Sequence, residues 1–388
     1  MALHRATAAS SFLRPAEWTR HSHCILAWPG LNNSTFQTPA SLTAATNEVS
    51  ALAHAIAAFE PVTLVVGQEQ ADEARELFSP SWTSSSSTGK DKYKIRVHPV
   101  QADDMNLWMR DIAPTFTVSR LLSLAGEEDE QPRLVGVDFN FNGWGNRHAT
   151  AGTVILAQTL LNAMKLDREN ASITTEGGAL EIDGQGTLLV TESSIINDNR
   201  NPGKTKNEIE QELKRYLGVS KIIWVPGVKN ADSTDCHIDA LARFARPGLV
   251  LLSRPTGPRA KTVWMKVYEE TRDILLRELD AQGESLQVVD IPEPDMDCLD
   301  MDKETMDEVA AAGEWSPVMS YVNYYLPNDG VIVPKFGDEQ ADANAYQILK
   351  AVFGEKREMR QVYINELPLQ GGGVHCATQQ VPLVHEGQ

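Results

Sequence analysis

One arrangement recurs along the chain and restricts its fold more than any other feature: strand, tight turn, strand, helix, strand. Between Gly178 and Gly227 the run GALEIDGQGTLLVTE reads as a hairpin turning near Asp183–Gly186. A helix follows at Thr205–Leu217, stopped by Gly218, and then the strand KIIWVPG. The next unit repeats the order with HIDALARF, a turn at Ala245–Gly248, LVLLS, a helix at Thr262–Leu279 and LQVVDI. A third copy begins at Met319: SYVNYYL and VIVPKF flank the turn Pro327–Gly330, Asp342–Phe353 is the helix, and QVYIN closes it. An earlier, looser copy has DIAPTFTV and LVGVDFN separated by the acidic loop EEDE at 127–130, a helix at Thr150–Met164 and a strand near Ala171–Thr175. The N-terminal remainder gives CILAWPG, a helix at Ser41–Phe59 and PVTLVVG. Five ββαβ-like units without linkers between them predict one domain over residues 1–388, an α/β class fold closed as a pseudo-fivefold α/β propeller.

The linker-like segments fall inside units. Ser79–Lys92 reads as a polar surface loop. Residues 291–315 form an acidic insert with nine Asp or Glu and one Lys, read as a solvated loop or short helix. Residues 1–14 read as a frayed start; they lack the apolar h-region of a secretory signal, and their Arg content without acids matches a transit peptide only weakly.

Charge and cysteine content narrow the partners. The formal net charge is −18, which argues against a nucleic-acid binder because phosphate neutralisation needs clustered Lys and Arg. No segment approaches the ~18 apolar residues of a membrane span. Four cysteines in 388 residues, with no CxxC pair, are too sparse for a disulfide framework or a zinc site. A reduced, cytoplasmic setting is the simplest reading, and no metal is called for. His21, His23 and Cys24 superficially resemble a metal cluster, but their spacing fits no zinc pattern.

Residues suited to chemistry stand at matching places in the units. Asp111 opens the first hairpin strand of one unit, and Glu176 immediately precedes that strand in the next. His237 and Asp239 open it in the third and Asn323 in the fourth, while Cys376 follows the last closing strand. Rotation about a common axis would bring these positions to one pocket. Read as i and i+2 of an extended segment, His237 and Asp239 share a face and Cys236 points away. A Cys with a His is the kit for nucleophilic catalysis. Gly371–Gly373 before the thiol would let a ligand approach the backbone closely. Several carboxylates around a thiol suit a planar cation, since guanidinium offers a fixed fork of donors that carboxylates accept in pairs. Plainer readings stand beside these. Asp111 and Asp239 could pair with Arg110 and Arg243, Glu176 could brace the Gly177–Gly178 turn, and Trp108 could either wall the pocket or fill the core.

The motifs PAEW at 15–18, AWPG at 27–30, WMRDIAPTF at 108–116, EGGALEIDGQGTLLVTE at 176–192, NRNPG at 199–203, HIDALARFARPGLVLLS at 237–253, SYVNYYLPNDGVIVPKFGD at 320–338 and GGGVHCATQQVP at 371–382 resemble, in order, those of the agmatine deiminases. More broadly they resemble the bacterial-type peptidylarginine deiminases of the guanidine-modifying pentein superfamily. The resemblance implies a pentein propeller and hydrolysis of a small cationic guanidino substrate. Agmatine would give N-carbamoylputrescine and ammonia for polyamine (putrescine) synthesis, without metal or organic cofactor. It implies Cys376 as nucleophile, Asp111 and Asp239 as acids holding the guanidinium, His237 as general acid and base, and Glu176 as the acid orienting that histidine. Trp108, Asn323 and Gly373 match substrate-binding positions. Two places depart from the family pattern. GLNNSTFQT at 30–38 stands where an Asn-Trp-Arg motif is usual, and Cys236 stands where Gly is common. The substrate tail therefore stays open between agmatine, free arginine and peptidyl-arginine, with Arg147 the basic residue an arginine carboxylate would need. Amidinotransfer by the same residues, a catalytically dead binding module and assembly into a homo-oligomer also stay open.

Overall fold

The structure is a computed structural model that describes residues 12–31, 38–79, 92–102, 104–119, 132–296 and 317–384. Its strands form five small sheets. In the third, Glu181–Ile182 pairs antiparallel with Thr187–Thr191, which pairs parallel with Lys221–Val225. The fourth repeats this with Ala242–Arg246, Leu249–Arg254 and Gln287–Pro292. The second uses Thr115–Ser119, Arg133–Asp138 and Asp167–Asn170. In the fifth, Gly330–Lys335 and Glu358–Tyr363 run parallel, and a single antiparallel bridge from Tyr325 to Ile332 stands in for the inner strand. Each parallel pair needs a crossover, which the helix of the unit supplies.

The helices have the sequence-level reasons expected of them. Thr205 caps Lys206–Leu217 in a capping box with Glu208, and Gly218 ends it at φ 68°. Ile209, Leu213, Tyr216 and Leu217 bury one face against Leu188, Val190 and their neighbours.

The first sheet is completed from the far end of the chain. Gln379–Pro382 pairs antiparallel with His21–Ala27, which pairs parallel with Val62–Gly67. The missing inner strand of the N-terminal unit is thus the C-terminal one. Around the axis, the turn Val374–Ala377 touches Met109–Ile112, which touches Gly177–Ala179, which touches Ile238–Leu241. Asn323 closes the circuit, donating to the Asp239 carbonyl at 3.3 Å and accepting from the His375 amide at 3.0 Å. Five units in a closed ring make the α/β propeller that the repeats predict.

Several expectations need correction. Phe12–Leu13 is a strand paired with Val118–Ser119, and Arg14 is buried with its guanidinium donating to the Leu180 carbonyl at 3.1 Å. Residues 12–14 are therefore anchored and not frayed; 1–11 lie outside the described residues. Ile291 and Pro292 end a strand, and Glu293 is buried against Arg259 at 2.8 Å, so the first residues of the acidic insert belong to the core. Most of that insert (297–316), the EEDE loop, most of Ser79–Lys92 and most of the 30–38 segment lie outside the described residues. The closing strand of the second unit is Asp167–Asn170, ahead of the predicted Ala171–Thr175. HIDALARF is not all strand: Ile238–Leu241 is one helical turn and the strand starts at Ala242.

Candidate active site

Among the described residues, that helical turn recurs in four of the five units. A single turn leads into the inner strand at Met109–Ile112, Gly177–Ala179, Ile238–Leu241 and Val374–Ala377. Asp111 and Asp239 lie within these turns, Glu176 and His237 at their N-caps, and Cys376 in the last. The convergence on the axis is the predicted one, reached by different local geometry. His237 and Asp239 are not alternate residues of a strand. The turn sends the imidazole toward Asp111 and Glu176, and the carboxylate toward His375 and Cys376.

Two walls result. On one, His237 Nε2 lies 3.3 Å from Glu176 Oε2, and Nδ1 lies 3.7 Å from Asp111 Oδ2. Asp111 accepts from the Gly178 amide at 2.8 Å and from Trp144 Nε1 at 2.9 Å. On the other wall, Cys376 Sγ lies 3.6 Å from Asp239 Oδ2 and 3.3 Å from Asn323 Nδ2. Asp239 Oδ1 is buried and has no hydrogen-bond partner among the described residues. Cys376 is half-buried, whereas Asp111, Glu176, His237, Asp239 and Asn323 are all buried. Gly178 is required where the walls meet: a Cβ there would stand 2.7 Å from His237 Nδ1 and 2.9 Å from Asp111 Oδ1. A Cβ at Gly373 would strike Asn323 Oδ1 at 2.5 Å. Trp108 is buried in the apolar core with its ring against Gly372.

Burial alone would neutralise all these groups. It does push Asp111 up, helped by Asp239 and Glu176, and only partly opposed by His237. Burial also works against Glu176 ionising, but the Arg200 guanidinium and His237 hold it below the usual range. Against the same penalty, Asp111 and Glu176 raise His237 to about 9, so it is an imidazolium at neutral pH. The Cys376 thiol is pushed well up by burial and then by Asp239 and Asp111.

Sequence reasoning missed the layer behind the walls. Buried Arg200 donates to Glu176 at 2.8 Å and to Asp235 at 2.7 Å. His375 bridges Asp239 and Glu17, both at 2.8 Å. These residues stand inside the quoted motifs NRNPG, GGGVHC and PAEW, and a charged residue among small and apolar ones was the available signal. Arg110 and Arg243 do not pair with Asp111 and Asp239. Arg110 donates to Gln380 at 2.5 Å, and Arg243 donates to Glu17 at 2.7 Å. His21 pairs with Glu60 at 3.2 Å, and among the described residues no group of three His, Cys, Asp or Glu is arranged to hold a metal ion.

The comparisons with known proteins agree with this geometry. The Porphyromonas-type peptidyl-arginine deiminase family matches residues 13–382. The agmatine deiminase of Medicago truncatula is 31% identical, over 99% of this chain and 100% of that one. The agmatine deiminase of Stutzerimonas stutzeri is 34% identical, over 96% and 95%. Among solved structures, the agmatine deiminase of Enterococcus faecalis superposes with a TM-score of 0.77 at 27% identity, covering 97% of this chain and 99% of its own. By sequence and by its five-bladed pentein architecture, the chain belongs to the Porphyromonas-type peptidyl-arginine deiminase family.

Proposed function

We propose that the protein is a C–N hydrolase that deiminates agmatine to N-carbamoylputrescine and ammonia. The observation that carries this reading is the half-buried thiol beside the Asp239 carboxylate, whose other oxygen, Oδ1, is buried with no partner among the described residues, facing a second acid and an imidazolium. A guanidinium placed between Asp111 and Asp239 meets acceptors on both sides. It also neutralises the two acids that hold the thiol up, so binding the cation lets Cys376 give up its proton to solvent and become the thiolate. The thiolate attacks the guanidinium carbon. His237 gives its proton to the departing nitrogen, the C–N bond breaks, and ammonia leaves a thiouronium on Cys376. Neutral His237 then takes one proton from water as that water attacks; as the C–S bond breaks, the adduct's hydroxyl gives its proton to solvent, which yields the ureido product and returns the thiolate. Glu176, held ionised by Arg200, orients the imidazole throughout.

The tail follows from charge. Arg147, which an arginine carboxylate would need, is committed to Asp235 at 2.9 and 3.0 Å and to Asn230 at 2.7 Å. That favours a tail without a carboxylate, in line with the names of the curated relatives. No organic cofactor enters any step. The partner is a small cationic guanidino compound rather than nucleic acid or a membrane, and among the described residues no helix is long and apolar enough to cross a membrane. Cys24, Cys236 and Cys376 are unbridged, which supports a cytoplasmic setting.

Ammonia release from agmatine, arginine and a blocked arginine peptide tests the reading. Agmatine is expected to be hydrolysed fastest, and Cys376→Ser to lose roughly 10⁴-fold or more in kcat with the fold intact. Full activity in that variant would sink the mechanism, and preference for the peptide would sink the choice of tail.

A further inference from the structure

Asp239 is held on one oxygen only, and its holder is the residue next to the nucleophile. His375 is buried on the turn that carries Cys376. Its Nδ1 lies 2.8 Å from Asp239 Oδ2 and its Nε2 lies 2.8 Å from Glu17 Oε2. An ionised carboxylate oxygen only accepts hydrogen bonds, so with both acids ionised both ring nitrogens must donate. Both acids have reason to be ionised. Glu17 Oε2 also accepts from Arg243 at 2.7 Å, and its Oε1 accepts from the Leu326 amide at 2.9 Å. The arrangement occupies one Asp239 oxygen and leaves Oδ1 buried with no partner among the described residues.

We propose that His375 is a positioning residue: an imidazolium pinned between Glu17 and Asp239 that fixes the Asp239 carboxylate so that Oδ1 alone is presented to the guanidinium. This rests on the deiminase reading above for what the open oxygen receives. Charged groups surround the pair on both sides. Arg110, Arg243, Glu17 and Glu181 face it from behind. His237, Asp111 and the Cys376 thiol face it from the substrate side. Among the described residues, the charge-bearing donor that touches Asp239 is His375 itself. The device also couples the axis to the N-terminal segment, because Glu17 comes from the residues leading into the first sheet.

Two near-isosteric variants separate the donor from the charge. His375→Asn keeps an N–H where Nδ1 stands but is neutral. His375→Gln keeps one where Nε2 stands and abandons Asp239. The expected order of KM for agmatine is wild type, then His375→Asn, then His375→Gln. The last is raised about ten- to a hundredfold, the range for losing a charged hydrogen bond. Both variants should move the acid limb of kcat/KM upward by about one pH unit or more, because Asp239 loses its adjacent cation. A packing role would lower thermal stability in both and leave that limb in place. A neutron crystal structure of the unsubstituted chain tests the same claim without a variant, and deuterium on both His375 nitrogens is the expected result. A bare ring nitrogen there, or folded variants with unchanged KM and pH profile, would overturn the proposal. Wild type inactive toward every guanidine would instead overturn the deiminase reading, while the neutron result would still decide the state of His375.

Discussion

Asp111 and Asp239 occupy corresponding turns of two propeller units, both are buried, and both face the same space, yet their carboxyls are driven in opposite directions. Burial raises Asp111, whose donors are the neutral Gly178 amide and Trp144 indole. Burial acts on Asp239 as well, but its hydrogen bond and charge contact with His375 bring it below the ordinary range. Position in the repeat determines where a carboxylate lies, and the layer behind it determines how readily it ionises. The empty site therefore pairs one acid whose charged form is favoured with one whose charged form is disfavoured. A bound cation favours the charged form of the raised acid.

The largest test of this asymmetry is to neutralise each acid in turn. Asp239→Asn removes the firmly charged member and leaves buried His375 facing an amide. Asp111→Asn removes the acid that is already raised. We expect kcat/KM for agmatine to fall in both, by roughly 10³-fold for Asp239→Asn and by a smaller factor for Asp111→Asn. The first loses a charged hydrogen bond and also strands a buried cation. Steady-state kinetics near pH 7 measures both, and equal losses would mean that the layer behind the acids does not distinguish them.

A smaller effect appears in stability against pH. His237, on the Asp111 wall, is raised from an ordinary 6.5 to about 9. Its contribution is therefore fully present below about 6.5 and is lost as pH rises through about 9, on the order of 3 kcal/mol. Raised Asp111 acts in the same direction at lower pH, destabilising the fold as pH climbs through the carboxylate range. Lowered Asp239 and Glu176 act oppositely: their stabilisation is present above the usual carboxylate pKa and is lost as pH falls through their folded values. Urea unfolding at pH 6, 7.5 and 9 should show a continuous decline, on the order of 1 kcal/mol or somewhat more over each interval. A flat profile would mean that the Asp111 wall does not hold a charged imidazole.

Which parts of this were legible follows from the range over which the signals act. The units could be read because each carries its own caps, turn glycines and alternating strands, as in Thr205–Gly218 and Asp183–Gly186. The equivalent placement of Asp111, Glu176, His237, Asp239 and Asn323 followed from the repeat. The single turns before the inner strands were not legible, since four residues are too few to show a helical period. Nor was the strand Gln379–Pro382, whose four residues QQVP contain a proline and pair with a strand some 350 residues earlier. His375 and Glu17 are a buried pair from opposite ends of the chain that only closure of the ring brings together, and Arg200 meets Glu176 inside one unit but across a loop that carries no periodic signal.

The smallest effect concerns how the two turns are entered. The Asp111 turn is entered through Trp108 at an ordinary φ of −83°. The His237–Asp239 turn is entered through Asp235 and Cys236, both left-handed at φ 62° and 72°. Asp235 is fastened there by Arg147, Arg200 and Asn199, but Cys236 is a side-chain-bearing residue in a conformation that glycine adopts freely. Its amide donates to Asp232 at 3.0 Å and its carbonyl accepts from Thr191 at 2.5 Å, and neither bond needs a side chain at 236. Cys236→Gly should therefore relieve about 1 kcal/mol of backbone strain. Part of that gain is offset by the greater freedom of glycine in the unfolded chain and by a small void beside Gly227. The net expectation is a gain of a few tenths of a kcal/mol in urea unfolding, with KM for agmatine unchanged. A loss of more than about 1 kcal/mol would show that the buried thiol's packing outweighs the strain. The left-handed entry to the Asp239 turn would then depend on cysteine itself.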